Sequence, residues 1–289
     1  MPVHIVTDST ADIPPELVTQ HNITVVPLKV LFGEEVFRDG VDISIDAFYE
    51  RLVKEKSTTS QPSPGDFLEV YSRLTENGDS VISIHISAAL SGTMQSARLA
   101  RSMLPDRNIE TVDSRLTSIA LGMIVLEAAR AAEAGLDHEV VSDLVHRLME
   151  STEVYFMVDT LEYLHRGGRI GKAQALLGTL LNLKPVLQLK DGIVQPFEKV
   201  RGRAKALDTV VRTAVFASNK YGPLNYTILH GNVPEIAREL EEKLVTQLGY
   251  EPYLVCRVGA VIGTHTGPGV AGLVFYPRSA LTGTDSRSG

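Results

Sequence analysis

Short apolar runs alternate with longer amphipathic stretches through most of the chain. His4-Ile5-Val6-Thr7 reads as a short buried strand, after which Asp12, Pro14, Pro15 and Glu16 mark a helix start. Residues 23–32, carrying Val25, Val26, Leu28, Val30 and Leu31, predict one longer strand. Ser44 is placed to cap a helix running to about residue 56. Ser63-Pro64-Gly65-Asp66 has the form of a helix N-terminus, with serine at the cap, proline at the first helical position and an acid at the third. A buried strand over 80–86, a helix over 92–104 and a strand over 109–112 follow. An apolar helix over 116–134 is stopped by Gly135, and another helix covers 137–150.

Beyond that point the pattern changes. A strand over 154–158 leads to a helical segment over 160–165 that Gly167-Gly168 ends, and residues 173–182 predict an apolar helix rich in small residues. Lys190-Asp191-Gly192 lies between two β-rich runs, 186–189 and 193–197, and signals a hairpin. Helices over 203–220 and 234–248 flank a strand over 226–230, and the last strands fall near 253–258 and 273–276. Repeated strand–helix–strand units imply an α/β fold: an N-terminal parallel sheet with helices on both faces, plus a second α/β domain. The expected boundaries are 1–150, 151–280 and a flexible tail over 281–289.

The chain has 289 residues, 44% hydrophobic and 22% charged, an ordinary globular balance. The first ten residues carry no basic segment followed by an apolar stretch, so no signal peptide is expected. No run approaches the roughly 18 apolar residues of a membrane span. The single cysteine, Cys256, sits in a strand-like run and reads as buried and inert. A cytoplasmic protein with no stable membrane insertion is expected. The net charge of −7 argues against nucleic-acid binding. Its distribution is uneven: residues 165–205 hold nine cations against two acids, a net of +7, leaving −14 for the rest. Such a segment is either a solvated basic face or a surface for an anionic partner.

Three polar segments interrupt the apolar background. Thr58-Thr59-Ser60-Gln61-Pro62-Ser63-Pro64 reads as a hydroxyl-rich loop, and hydroxyls can donate to a carboxylate or phosphate without adding charge. Ser87-Ala88-Ala89-Leu90-Ser91-Gly92-Thr93 leaves a buried strand and opens a helix, the place where open α/β sheets bind ligands. Gly263-Thr264-His265-Thr266-Gly267-Pro268-Gly269 reads as a loop whose glycines let the backbone approach a ligand. Each is also explained as a cap or an idle loop. Together they describe an anion site beside apolar segments, suited to an amphiphile with a carboxylate head. Gly-x-Ser-x-Gly and Walker A patterns are absent from the sequence, as is His-Glu-x-x-His, and no Gly-x-Gly-x-x-Gly follows a strand.

Asp8-Ser-Thr-Ala-Asp12, Thr59-Ser-Gln-Pro-Ser63, Leu90-Ser-Gly-Thr93 with Gln95-Ser96-Ala97, Asp159-Thr-Leu with Gly168-Arg-Ile170, and His265-Thr-Gly-Pro-Gly269 occur in this order. In this the chain resembles the DegV family, which includes the fatty-acid-binding subunit of the bacterial fatty acid kinase, over roughly residues 3–278. The resemblance implies a two-domain α/β fold with an acyl chain buried inside and no cofactor beyond that bound acid. It implies that Thr59 and Ser91 hold the carboxylate, with Thr58, Ser60, Ser87 and His265 close by. Ala88 stands where the family commonly has a second serine. Arg169 and Arg201 match arginines associated with engagement of an ATP-dependent kinase subunit, which would phosphorylate the bound long-chain fatty acid. Two other functions stay open on the residues: an acyl-ester hydrolase using Ser91 and His265 with Asp8 as orienting acid, and a small-anion or phosphate sensor at the helix that opens near Ser91.

Overall fold

The computed structural model of the chain describes residues 1–178 and 183–282. Its first strands are β1 (Val3–Asp8), β2 (Thr24–Val26), β3 (Lys29–Phe32), β4 (Glu35–Arg38), β5 (Ser57–Ser60), β6 (Ser80–His85) and β7 (Ile109–Asp113). The helices among and after them are α1 (Pro15–Gln20), α2 (Ile45–Leu52), α3 (Pro64–Leu74), α4 (Thr93–Ser102), α5 (Ile119–Glu133) and α6 (His138–Ser151). The remaining strands are β8 (Glu153–Met157), β9 (Leu183–Lys190), β10 (Ile193–Arg201), β11 (Leu224–His230), β12 (Leu254–Arg257) and β13 (Ala271–Pro277). Helices α7 (Glu162–Arg166), α8 (Arg203–Tyr221), α9 (Pro234–Leu248) and α10 (Ala260–Thr266) connect them.

A four-stranded parallel sheet runs β2-β1-β6-β7, and a six-stranded mixed sheet runs β10-β9-β8-β13-β11-β12. Side-chain alternation along the strands assigns the layers. In β1, Ile5 joins the core shared with α5 and α6, while Val6 faces the other way with Phe67 and Tyr71 of α3 and Ala97 and Ala100 of α4. In β13, Val274 and Tyr276 join the α5 and α6 core, while Leu273 and Phe275 face α8 and α9. Helices α5 and α6 therefore form a central layer between the two sheets. Helix α5 is buried on nearly every side, as its almost continuous apolar sequence requires.

Most elements fall where the hydrophobic pattern puts them. The capping box at Ser63 and Asp66 is present, and the two residues between β9 and β10, Asp191 and Gly192, both have positive φ, as a tight type I′ hairpin needs. Four expectations change. The single strand over 23–32 is two strands in two sheets: Pro27, which has no N–H to give a ladder, separates β2 from β3. The hydroxyl-rich loop at 58–64 begins as strand β5, which pairs antiparallel with β3 in a small sheet ordered β4-β3-β5. The segment around His265 is helix α10 as far as Thr266, with the chain turning only at Gly267. Gly263 sits inside that helix because a side chain there would meet Phe48 Cε1 at 2.7 Å and the Tyr49 hydroxyl at 2.9 Å. In the helix expected over 173–182, residues 171–176 form a 3-10 turn, and the part from 179 on lies outside the described residues. The expected tail lies outside them from residue 283. No helix among the described residues is long and apolar enough to cross a membrane.

Gly122 in α5 tests how tightly the central layer is packed. Alanine is favoured over glycine by about 1 kcal/mol in a free helix. Here a Cβ would overlap the Ala11 carbonyl oxygen and crowd Ile13 and Ile119. Overpacking of this kind costs about 1–3 kcal/mol. Gly122→Ala is expected to lower the urea midpoint with the slope unchanged; a raised midpoint would show that α5 can shift away from Ala11.

Candidate functional site

Between the carboxyl end of β6 and the inner face of the six-stranded sheet lies a cavity. Ile86, Leu90 and Ser91 line it from the segment after β6, and Thr117 and Ser118 from the segment before α5. Val154 and Phe156 of β8, Leu189 of β9, Val194 of β10 and Leu229 of β11 form the opposing wall. Val261, Ile262 and His265 line it from α10, their spacing putting them on one side of that helix, and Val258 lines it from just before the helix. The wall is thus largely apolar with a few polar groups, the usual form of a small-molecule pocket.

Four of the residues singled out in the sequence meet at one end: Thr59, Ser91, His265 and Arg169. Strand alternation delivers Thr59, since β5 buries Ser57 and turns Thr59 inward while Thr58 and Ser60 point out to solvent. The Thr59 hydroxyl lies 2.9 Å from His265 Nε2. Ser91 Oγ is paired at 2.9 Å with the Thr93 hydroxyl and accepts the Thr93 backbone N–H. Arg169 spends Nε on the Leu90 carbonyl at 3.0 Å and Nη1 on the Gly167 carbonyl at 2.6 Å. Its guanidinium has five donor hydrogens, so others remain. Burial first, then the positive charges of Arg169 and Arg166, pull the His265 imidazolium down to about 4. His265 is therefore neutral near pH 7. Its Nδ1 is buried without a hydrogen-bond partner and packs on Gly167, where a Cβ would collide with the ring.

The other singled-out residues lie elsewhere. Thr58 and Ser60 are exposed and off the cavity wall. The Ser87 hydroxyl is committed to the β9–β10 turn, donating to the Gly192 carbonyl at 2.8 Å. Ala88 is exposed, with its N–H on Asp113 Oδ1. Arg201 is exposed at the end of β10. Arg169, matched to an arginine associated with partner engagement, lines the cavity. Thr117 and Ser118, which carry no motif that a sequence would flag, also line it, as does Thr266 from the His265-Thr-Gly-Pro-Gly269 motif. Ser118 has φ 54° and ψ −155°, a conformation rarely adopted by residues other than glycine, and its hydroxyl donates to Asp12 Oδ2 at 2.5 Å.

A hydrolytic site is not assembled from Ser91, His265 and Asp8. Asp8 is fully buried and holds His85 Nδ1 at 3.0 Å and the Ile86 N–H at 3.0 Å. His85 in turn reaches Ser83 at 2.6 Å, and Tyr71 donates to that serine. This Asp8–His85–Ser83 chain has the residue types of a triad but is sealed, with each member at 0% exposure. Cys256 is buried, and burial pushes its thiol up to about 12, well out of the reactive range. Among the described residues, no group of three or more His, Cys, Asp or Glu side chains is arranged to hold a metal ion.

An α/β protein of two large sheets and one small one, with a largely apolar cavity lined also by hydroxyl-bearing residues, a neutral imidazole and an arginine, has the form of a receptor for an amphiphile. The sequence model described as "Uncharacterised protein, DegV family" matches residues 2–278. A DegV domain-containing protein of Streptomyces coelicolor is 41% identical over 281 residues, covering 96% of this chain and 99% of its own length. A DegV-family protein of Thermus thermophilus, whose structure is described as showing fatty acid binding, superposes with a TM-score of 0.91 at 40% identity, covering 96% of this chain and 100% of that one. A stearic acid-binding protein of Eubacterium ventriosum superposes with a TM-score of 0.89 at 31% identity, covering 96% and 98%. The chain belongs to the DegV family.

The depressed His265 value has a consequence for stability. An unfolded histidine titrates near 6.5, so between about 6.5 and 4 the unfolded chain binds more protons at this residue. The contribution of the buried neutral ring is complete above 6.5 and is lost as the pH falls toward 4. Asp39, pushed up to about 6 by burial, acts with the opposite sign and loses its contribution as the pH rises. Comparison with His265→Gln separates them. The stability difference, wild type minus variant, is expected to shrink between pH 7 and pH 4 in urea unfolding. A constant difference would mean that the ring is not held neutral.

Proposed function

We propose that this chain holds one long-chain fatty acid in the cavity and presents its carboxylate to a partner, an ATP-dependent kinase subunit that forms the acyl phosphate. The convergence of Thr59, Ser91, His265 and Arg169 at one end of a largely apolar cavity carries the reading. The fatty-acid binding described for the Thermus thermophilus and Eubacterium ventriosum proteins supports it. About 15 methylenes at ~0.8 kcal/mol each give an upper bound of ~12 kcal/mol for burying the chain. Immobilising the ligand reduces that sum, yet tight retention is still expected.

In this reading neutral His265 donates Nε2–H to the Thr59 oxygen, which leaves the Thr59 hydroxyl proton to donate to the carboxylate. Ser91 supplies a second hydroxyl and Arg169 a remaining guanidinium N–H. The chain is then a carrier, with no cofactor of its own, and the phosphoryl transfer belongs to the partner. Arg166, Lys172, Lys190, Lys199, Arg201, Arg203 and Lys205 are exposed and form no ion pair among the described residues. They suit a partner surface of opposite charge, with Arg201 as its representative.

Extraction of the protein as purified, followed by lipid mass spectrometry, should yield about one fatty acid per chain. An empty extract, repeated after incubation with mixed long-chain acids, would sink the proposal. Hydrogen bonds to a charged group are worth about 1.5–3 kcal/mol each, so Thr59→Ala with Ser91→Ala should weaken retention at least tenfold. Wild-type retention and turnover in that double variant would remove both residues from the head-group role. Arg201→Glu should cut acyl-phosphate formation by the kinase while the acid is still retained; unchanged turnover would take Arg201 out of the partner surface.

A further inference from the structure

Five hydroxyl-bearing residues line the cavity: Thr59, Ser91, Thr117, Ser118 and Thr266. Four are engaged within the protein: Thr59 with His265, Ser91 with Thr93, Ser118 with Asp12, and Thr266 with the Ile262 carbonyl. Thr117 differs, because its Oγ1 is buried and has no hydrogen-bond partner in the protein. A buried hydroxyl without a partner destabilises the fold, and valine would fill the same space without that cost.

The backbone around Thr117 is fixed on both sides. The Leu116 carbonyl accepts the Ser87 N–H at 2.8 Å, and Leu116 N–H is held by Ser114 Oγ at 3.0 Å. On the other side Ser118 is tied to Asp12, whose second oxygen accepts the Gly259 N–H at 3.1 Å. That chain of contacts places the Thr117–Ser118 segment at the start of α10, whereas the head-group cluster lies near its end, at His265. Six residues of helical rise separate Gly259 from His265, about 9 Å. An extended chain advances roughly 1.2 Å per bond, so about eight bonds separate the two polar places along a straight ligand.

We propose that Thr117 is a specificity-determining residue, and that its buried hydroxyl selects acyl chains carrying a hydroxyl or other oxygen function near mid-chain. The inference rests on the fatty-acid reading above and names the ligand class more narrowly. A plain alkyl chain leaves the Thr117 hydroxyl unpaired, whereas a mid-chain oxygen both satisfies it and is satisfied by it. Oxygen next to the carboxyl or at the methyl end falls at the wrong place along α10.

The test is a competition on the full chain, read by native mass spectrometry. The probes are octadecanoic acid and three hydroxylated forms of it, with the hydroxyl beside the carboxyl, at mid-chain, and at the methyl end. Retention of the mid-chain form over the plain acid is expected by about two- to tenfold, the worth of one net hydrogen bond. Thr117→Val should abolish that preference, and Thr117→Ser, which keeps the hydroxyl, should restore it. The proposal is overturned if the wild type favours the plain acid or treats the three hydroxylated forms alike, or if the preference survives in Thr117→Val. Failure to retain any of the four acids would instead count against the fatty-acid reading itself.

Discussion

The position of α10 depends on two carboxylates buried at its start. Asp12 accepts the Gly259 N–H and the Ser118 hydroxyl, and Asp39 accepts the N–H groups of Ala260 and Val261 and the Ser9 hydroxyl. Burial drives both carboxyls upward, Asp39 to about 6 and Asp12 well above the ordinary range. Burying such groups is costly unless they are hydrogen-bonded. These bonds join the β1 exit, the α5 entry, the segment after β4 and the α10 entry at one point. Phe48 and Tyr49 then press against Gly263, and the Tyr49 hydroxyl donates to the Val258 carbonyl. A short helix that has little stability of its own is thereby fixed between the small sheet and the six-stranded sheet, and one side of it becomes a cavity wall.

That placement explains why the cavity sits off the centre of the fold. Along α5 and α6 the two sheets are held apart by helices that fill the space completely, with Leu121, Ile124, Val125 and Val145 fully buried. Beyond the α5 N-terminus no such helix continues, and the smaller α10 and strand β5 take its place. The residues left facing inward are Leu28, Ile86, Val154, Phe156, Leu189 and Val261. The cavity and the packed layer are thus two parts of one arrangement, in which two sheets stay a helix diameter apart while the helical filling runs out.

The sequence makes most of this fold legible because its long elements obey one period each. Val81, Ile82 and Ile84 mark β6, an almost continuous apolar run marks α5, and Asp191-Gly192 marks the hairpin. The site is less legible, and for identifiable reasons. Gly263 carries the sign of a loop, yet it is there because Phe48 and Tyr49 leave no room for a side chain, a contact 214–215 residues away in sequence. In β5 the residues Thr58, Thr59 and Ser60 look equivalent until pairing with β3 fixes which of them turns inward. Ser87 looks like a ligand donor until the β9–β10 turn is seen to occupy its hydroxyl. Thr117 escapes notice because its significance lies in what fails to bond to it. In the first three cases the missing information is a long-range contact, which neither propensity nor spacing encodes.

The polar chemistry of the molecule is divided between sealed and accessible sets. Asp8, His85, Ser83 and Tyr71 satisfy one another at full burial, so that network can orient strand ends but can receive nothing. At the cavity the donors are uncharged hydroxyls, a histidine that burial keeps neutral, and one arginine already tied to two carbonyls. A lysine or a free arginine there would hold a carboxylate more strongly, since a desolvated ion pair is costly to break. Hydroxyls donating to a carboxylate contribute about 1.5–3 kcal/mol apiece, less from two of them than the ~12 kcal/mol bound for the chain, so in the proposed carrier role the hydrocarbon wall supplies most of the retention. The head group is then oriented by two hydroxyls and a single guanidinium N–H of Arg169, and its oxygen keeps the lone pair that an attack on a phosphoryl group requires.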